Sequence, residues 1–247
     1  MNLSKLNKAP SFSPLYGQIK VLITQSLALG EWRPGQSIPS EFDLAGRFKV
    51  SQGTVRKAID TLAAENILVR RQGKGTFVAT HTAERSKYRF LRITGMEGEK
   101  EYPVNEVLLH YKRGKAGKEI AERLKLKRGA ALVILKRVTT FANKPIMLHN
   151  IYLPAALFKG LNGTMVSSYP GTLYSLYETH YGIRIIHAEE RLRAVAADKT
   201  ATDALGVAPN APLLDIERLA FTYGDKPVEW RRSRCNTEQH CYFNKLG

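Results

Sequence analysis

The most constraining feature of the sequence is the order of short patterns near its N-terminus. Apolar residues recur at helical spacing over about 15–29 and again over 51–65, and a capping box between them predicts a short helix that ends near 48–50. Two short runs rich in β-branched residues follow, at 67–71 and 76–79, and a turn with two glycines joins them. Three short helices followed by a hairpin predict a winged helix-turn-helix, in which the hairpin is the wing.

Local chemistry supports the starts of the second and third helices. Ser40 stands three residues before Asp43, which is the spacing of a capping box. Ser51 is the next N-cap candidate, and apolar residues with helical spacing follow it.

The start of the third helix carries residues suited to reading DNA. In a winged helix-turn-helix these residues lie at the base edges of the major groove. They are Ser51, Gln52, Gly53, Thr54 and Arg56. Gln and Arg side chains can bond bidentately to adenine and guanine, and Gly53 would allow a close approach. Ser and Thr are also common N-caps, so a simple solvated helix start is the alternative interpretation.

The hairpin turn is strongly basic. Arg70, Arg71 and Lys74 surround Gly73 and Gly75. A cationic wing can lie along a phosphate backbone or enter a narrow minor groove, although a charged hairpin can also be just a solvated edge. The chain has 38 Lys+Arg against 22 Asp+Glu, a formal net charge of +16. A charge of this size favours a polyanionic partner, with double-stranded DNA ahead of a membrane surface.

The remainder of the chain has a different texture. Residues 1–13 predict a flexible arm, 14–80 the winged domain and 81–87 a polar linker. Over 88–247, strands alternate with shorter helices, which predicts an α+β domain on a mainly antiparallel sheet. The candidate strands are 88–95, 102–112, 130–141, 145–153, 183–195, 212–223 and 227–235, and the candidate helices are 117–124, 154–159, 171–181 and 198–205. We find no internal repeat in the sequence.

The first domain resembles a known family through one long motif. PGQSIPSEFDLAGRFKVSQGTVRKAIDTLAAENILVRRQGKGTFV is similar to the DNA-binding domain of the GntR family of bacterial transcription regulators. The resemblance covers about 14–80, and it implies operator contacts from a set of matching positions. These are Ser40, Glu41, Ser51, Thr54, Arg56, Lys74 and Gly75. Phe42 and Gln52 stand where the family usually has arginine, which leaves room for a different operator.

The second domain resembles the UTRA effector domain of the HutC-type subfamily. The similar segments are LVILKRVTTFANKPIMLHNIYLP, GTLYSLYETHYGI and ALGVAPNAPLLDIERLAFTYGDKPVEW. The resemblance covers about 88–244. It implies a chorismate-lyase-like α/β fold that binds a small metabolite and usually forms a homodimer.

The resemblance also implies pocket residues. The matching positions are Arg137, Thr172 and Glu229. Members that respond to sugar phosphates commonly carry a second Arg, a Glu and a Tyr, and these positions align with Thr139, His149 and Cys235. Three changes in one pocket leave a phosphate-bearing ligand open, although a buried arginine still favours an anion. Alternatively, Arg137 and Glu229 pair with each other across neighbouring strands.

Neither a cofactor nor a metal is expected. Cys235 and Cys241 are too few for a disulfide scaffold and fit a reducing compartment. With His240 they have no common zinc spacing, and strand alternation puts His240 and Cys241 on opposite faces. Cys235 with His149 could form a nucleophile–base pair, but no flanking signature supports it.

Composition narrows the remaining classes. Hydrophobic residues make up 43% of the chain, which is globular and excludes disorder, collagen and coiled coil as the main class. No long apolar run or secretory signal is present, so a cytoplasmic protein without a membrane partner is expected. The sequence predicts a non-enzymatic, ligand-responsive transcription regulator, a homodimeric repressor released by a small anionic metabolite. The alternative is an enzyme whose chorismate-lyase-like domain is fused to a DNA-binding module.

Overall fold

The computed structural model describes residues 14–81, 88–97 and 102–245. Its contacts divide the chain into two compact units, the first ending at Ala79 and the second beginning at Thr80. The predicted arm, 1–13, lies outside the described residues. So does the predicted linker after its first residue.

The described part of the first unit, 14–79, contains three helices and a hairpin in the predicted order. They are α1 (Leu15–Ala28), α2 (Glu41–Phe48), α3 (Gln52–Ala64), β1 (Leu68–Arg71) and β2 (Gly75–Val78). The strands pair antiparallel, from Leu68 opposite Val78 to Arg71 opposite Gly75. The core is apolar, and its fully buried members are Ile23, Leu44, Val55, Ala58, Ile59 and Leu62.

Side-chain caps fix the start of α2 and the turn between α2 and α3. The Ser40 hydroxyl accepts from the Asp43 amide at 3.1 Å, and the Asp43 carboxylate accepts from the Ser40 amide at 3.2 Å, so the predicted capping box is confirmed. Lys49 ends α2 in the left-handed region, with φ 54°. The Ser51 hydroxyl then accepts from the Thr54 amide at 3.2 Å, so α3 begins directly after this tight turn.

The second unit is built on a six-stranded antiparallel sheet with strand order β4-β5-β6-β9-β8-β7. The strands are β4 (Asn105–Lys115), β5 (Ala131–Phe141), β6 (Lys144–Pro154), β7 (His187–Ala196), β8 (Pro212–Thr222) and β9 (Lys226–Cys235). The helices are α4 (Lys118–Arg123), α5 (Gly163–Ser168), α6 (Leu173–Tyr181) and α7 (Lys199–Leu205). A separate two-stranded ribbon pairs β3 (Ile93–Gly95) with β10 (His240–Tyr242).

The second unit contains an internal repeat, which corrects the sequence analysis. The order β4–α4–β5–β6 recurs as β7–α7–β8–β9, and the two halves meet where β6 pairs with β9. Leu124 corresponds to Leu205, and Arg137 corresponds to Arg218. The repeat is hidden in the sequence because few identical residues survive, while the order of elements persists.

Helices cover both faces of this sheet. On one face, Val166 of α5 and Leu176 and Tyr177 of α6 join Leu135 and Ile151 of the sheet in one apolar cluster. On the other face, α4 and α7 cover separate clusters around Trp230 and Leu148. Among the described residues, no helix is both long and apolar enough to cross a membrane.

Several sequence predictions are wrong in detail. The strand predicted over 88–95 shrinks to β3, because Tyr88 to Phe90 form a turn. The helix predicted over 154–159 is also a turn, and α5 begins only at Gly163. His81 was predicted to begin the linker, but it is packed within the second unit. It is 1% exposed, and its amide is hydrogen-bonded to Glu178 in α6.

Candidate functional site

In the first unit, one carboxylate joins the hairpin to the start of two helices. Glu41 begins α2 and accepts from Arg56 Nε of α3 at 2.9 Å and from Arg70 Nη2 of β1 at 2.8 Å. Arg70 also reaches Asp60 at 2.8 Å. Burial alone would raise the pKa of Glu41, but the hydrogen bonds from Arg70 and Arg56 hold it below its usual value.

Both arginines remain open to solvent although they are held. The Arg56 and Arg70 side chains are 58% and 43% exposed, whereas the Glu41 side chain is only 14% exposed. Two exposed guanidinium groups from different elements are therefore held next to one carboxylate. Together the two groups can contact an anionic surface that extends across both α3 and β1.

The other residues predicted at this surface divide into two groups. Ser40 and Ser51 use their hydroxyls as helix caps, and Ser51 also bonds the Thr54 hydroxyl at 2.9 Å. Gln52 and Gly53 are exposed in the first turn of α3, where a Cβ on Gly53 would meet only the Ser51 hydroxyl, at 4.0 Å.

The wing tip is exposed as well. Lys74 is exposed in the hairpin turn, between Gly73 at φ +68° and Gly75 at φ +99°. The positive φ angles explain why both positions are glycine, because residues with a side chain rarely adopt this backbone conformation.

Aromatic rings hold two further cations here, of which the sequence analysis named only Arg71, as part of the basic wing. Lys57 of α3 lies 4.4 Å from the centroid of the Tyr16 ring of α1. The Arg71 guanidinium lies 4.4 Å from the centroid of the Phe77 ring in the wing. Cation–π contacts of this kind fix long side chains at an exposed site. Their signal in the sequence was weak, because each ring is distant from its cation along the chain or lies on another strand.

The second unit holds a cavity of about 80 Å³ over the face of the sheet that α6 covers. Its walls come from the segment around β3, from β10, from five strands of the six-stranded sheet and from the start of α6. They include Tyr88, Phe90, Arg92, Glu106, Thr139, Met147, His149, Thr172, Tyr174, Ile216, Arg218, Arg231, Ser233 and Tyr242. Polar groups thus line one side of a cavity whose other walls are aromatic and apolar.

Arg231 enters the cavity on a fully buried support. Glu229 is 0% exposed and accepts from Arg231 at 2.9 and 3.0 Å. The hydroxyls of Tyr174 and Tyr177 donate to the same carboxylate at 3.0 and 2.8 Å. Burial and the Glu229 charge raise the pKa of Tyr174 to about 12, so this phenol stays a donor.

His149 forms a neutral bridge across the floor of the cavity. Its Nε2 lies 2.9 Å from the Thr139 hydroxyl, and its Nδ1 lies 2.7 Å from the Ser233 hydroxyl. Burial, and then the positive charge of Arg231, holds the pKa of His149 well below its usual value. A neutral imidazole with two hydroxyl partners can offer a ligand both donors and acceptors through those hydroxyls.

The structure places the predicted pocket residues differently from one another. Thr139, His149 and Thr172 line the cavity, whereas Arg137, Glu229 and Cys235 do not. Arg137 pairs with Glu106 at 2.7 Å, so the alternative of an Arg137–Glu229 pair is wrong. The register explains this, because Arg137 lies opposite His149 while Glu229 lies opposite Ala220.

Cys235 belongs to an apolar cluster with Ile93, Phe141 and Met147, and it is fully buried. Burial raises the pKa of its thiol to about 12, which makes it a poor nucleophile. Since both His149 nitrogens bond hydroxyl groups, the pairing of Cys235 with a His149 base does not form. Among the described residues, no group of three His, Cys, Asp or Glu side chains could hold a metal ion.

The sequence analysis missed Arg218 and Arg231, and the internal repeat was the signal that could have found them. Arg218 occupies the position of Arg137 in the second half, and Arg231 occupies that of His149. Arg218 is held by Glu190 at 2.6 Å and by the Phe90 carbonyl at 2.5 Å. Two of the lining arginines, Arg218 and Arg231, thus lie on the second hairpin, where the sequence analysis expected Glu229 and Cys235.

Comparison with known proteins gives each unit a family. Residues 15–78 match the bacterial regulatory proteins of the gntR family, and residues 101–240 match the UTRA domain. The chain belongs to the GntR family. Its UTRA domain accounts for more than half of its length, so this is a DNA-binding transcription regulator of the HutC type.

Relatives of this GntR regulator extend over nearly its whole length. The HTH-type transcriptional regulator YurK of Bacillus subtilis is 31% identical over 88% of this chain and 89% of its own. The HTH-type transcriptional repressor NagR of the same organism is 26% identical over 100% and 98%. The solved ligand-binding domain of a GntR-family regulator from Bordetella bronchiseptica is 35% identical over 65% of this chain and 99% of its own, with a TM-score of 0.63.

Proposed function

We propose that this GntR regulator is a homodimeric repressor that a small, singly charged carboxylate releases from its operator. The proposed DNA binding rests on one observation. Glu41 accepts hydrogen bonds from both Arg56 and Arg70, beside the exposed start of α3. A two-fold dimer would present two such helices to an operator with two half-sites. Because its partner is operator DNA, we expect the protein to act in the cytoplasm. Sedimentation of the purified protein tests the dimer.

Arg56→Ala should weaken binding to the operator by about 1–3 kcal/mol without unfolding the winged domain, because the side chain is largely exposed. The operator is first recovered by selection from random duplex DNA, and affinity is then measured by fluorescence anisotropy. Arg128→Ala, which removes an exposed charge from the second unit, is the control. Equal affinities of Arg56→Ala and the unsubstituted protein would remove Arg56 from the interface.

Glu41→Gln should weaken discrimination while strengthening non-specific binding. The variant removes a negative charge near phosphates, and its amide can no longer accept from both Arg56 and Arg70. The ratio of operator to random-DNA affinity should fall by about 1–3 kcal/mol, the worth of one good base contact. Asp60→Asn is the matched control, because it loosens Arg70 alone. A ratio that stays constant would show that Glu41 does not orient the reading groups.

The effector half of the proposal rests on the charges around the cavity. Arg218 is paired with Glu190, and Arg231 is paired with Glu229. Glu106 is paired with Arg137. Among the described residues, no carboxylate forms an ion pair with the lining Arg92, whose guanidinium donates to the carbonyls of Arg89 and Leu91.

With one uncompensated cation among the described lining residues, the cavity favours a monoanion over a doubly charged phosphate. The rings of Tyr88, Phe90, Tyr174 and Tyr242 favour a flat, apolar body. A thermal-shift series tests this with benzoate, imidazole carboxylates, short aliphatic carboxylates and hexose phosphates. The aromatic monocarboxylates should give the largest stabilisation, and Arg92→Gln should reduce it. A larger shift from a hexose phosphate would overturn this choice of effector.

A further inference from the structure

At the boundary between the two units, the last residue bonded within the first unit is directly followed by one bonded within the second. The amide of Ala79 donates to the Ile67 carbonyl at 3.1 Å, inside the winged domain. The next residue, Thr80, donates its hydroxyl to Glu178 of α6 in the UTRA domain. Two consecutive residues are therefore anchored to different units. A displacement of Glu178 acts one peptide bond away from the end of the winged domain.

Glu178 holds the chain with both oxygens. The His81 amide donates to them at 3.0 and 3.2 Å, in addition to the Thr80 hydroxyl. The Glu178 side chain is 3% exposed, and the Arg184 guanidinium lies 3.6 Å away. Leaving a buried carboxylate without such partners is energetically costly. The hydrogen bonds from residues 80–81 to Glu178 are therefore strong while α6 stays in place.

His81 also packs against the wall of the effector cavity. The His81 ring lies 5.9 Å from the Tyr174 ring and 6.1 Å from the Phe90 ring, measured between centroids. Both aromatic residues line the cavity. The His81 Nε2 is also bonded to the Ile185 carbonyl at 2.8 Å, which keeps the ring against them.

Tyr174 connects this junction to the charged part of the cavity. Its hydroxyl donates to Glu229, which in turn holds Arg231. Tyr174 and Glu178 lie one turn apart on α6, so a movement of the first is shared by the second. A ligand that repositions Arg231 or the Tyr174 ring therefore acts on both contacts of the junction.

We infer that Glu178 and His81 form a clamp that carries effector binding from the UTRA cavity to the winged domain. The inference rests on the proposed function. Filling the cavity displaces the Tyr174 and Phe90 rings, His81 follows, and Glu178 changes its hold on residue 80. The equilibrium between operator-competent and released states is thereby biased at the junction, and Glu178 and His81 act as positioning residues.

A double-mutant cycle tests the clamp without an identified effector. Ser233→Trp fills the cavity from within. Glu178→Gln removes the negative charge of the clamp and replaces one of its two acceptor oxygens by an amide NH2 group. The operator recovered by selection from random DNA serves as probe. Ser233→Trp should lower operator affinity at least about fivefold in the otherwise unsubstituted protein, the lower end of typical allosteric coupling. With Glu178→Gln present, the same substitution should change the affinity less than about twofold.

Controls separate the clamp from general damage. Glu178→Gln alone should keep operator affinity within about threefold, and Glu122→Gln on α4 should leave the response to Ser233→Trp intact. Ile216→Phe is a second filling substitution, which spares the hydrogen bond of Ser233 if Ser233→Trp does not fold. Hydrogen exchange gives an independent readout, because the His81 amide should exchange faster after either cavity substitution.

The outcomes are distinguishable from those of the proposed function. If selection recovers no operator, the proposed function fails. If an operator is recovered but the cavity substitutions act equally with and without Glu178→Gln, the clamp is overturned. The clamp is also overturned if neither cavity substitution changes operator affinity or His81 exchange.

Discussion

Glu229→Ala should destabilise the UTRA domain by about 3–5 kcal/mol, because it leaves the largely buried Arg231 guanidinium without its carboxylate. The variant also removes the acceptor of the Tyr174 and Tyr177 hydroxyls. The chain has two tryptophans, and Trp230 is buried in the UTRA domain. Urea unfolding followed by Trp230 fluorescence in a Trp32→Phe background therefore reports on this domain alone.

The matched control for this prediction is Glu189→Ala. Glu189 is exposed on β7 and should cost less than about 0.5 kcal/mol. A cost of that size for Glu229→Ala would show that water or other groups replace the carboxylate easily. The charge count used for the cavity would then be wrong as well.

Ile59→Ala should cost the winged domain about 2–5 kcal/mol and abolish operator binding at ordinary temperatures. Ile59 is fully buried on α3, and a domain of this size has little stability to spare. Trp32 is buried in the first unit, so its fluorescence in a Trp230→Phe background follows the unfolding of that unit.

Leu135→Ala is the reciprocal substitution. Leu135 is equally buried, but it lies in the sheet of the UTRA domain, so it should move the Trp230 transition and leave the Trp32 transition in place. If both substitutions shift both transitions equally, the two units do not unfold independently. The boundary near residue 80 would then not separate two domains in the thermodynamic sense.

The winged domain was predictable because its rules are local. Ser40 and Asp43 define a capping box within one turn, and the glycines around Lys74 define a hairpin turn. Residues three and four apart decide helix faces without help from distant parts of the chain. The sharing of Glu41 by Arg56 and Arg70 could not be predicted, because it depends on how three elements pack.

The UTRA cavity was only partly predictable for the corresponding reason. Thr139 and His149 lie on one sequence-local hairpin, so a motif could locate them. Arg218 and Arg231 face them only because β6 pairs with β9, a contact between distant segments. His81 resembled a linker residue because its neighbours are polar, and its burial depends on Glu178, far along the chain.

The mirrored order of the UTRA sheet also has a consequence for how the domain folds. Within the six strands, every pairing except one joins strands that follow each other in sequence, and the exception is β6 with β9. Each half can therefore assemble from short-range contacts at a modest cost in loop-closure entropy. The pairing of β6 with β9 closes the longest loop of the sheet, so its register from Met147 opposite Cys235 to Tyr152 opposite Trp230 is the step whose rate topology limits most.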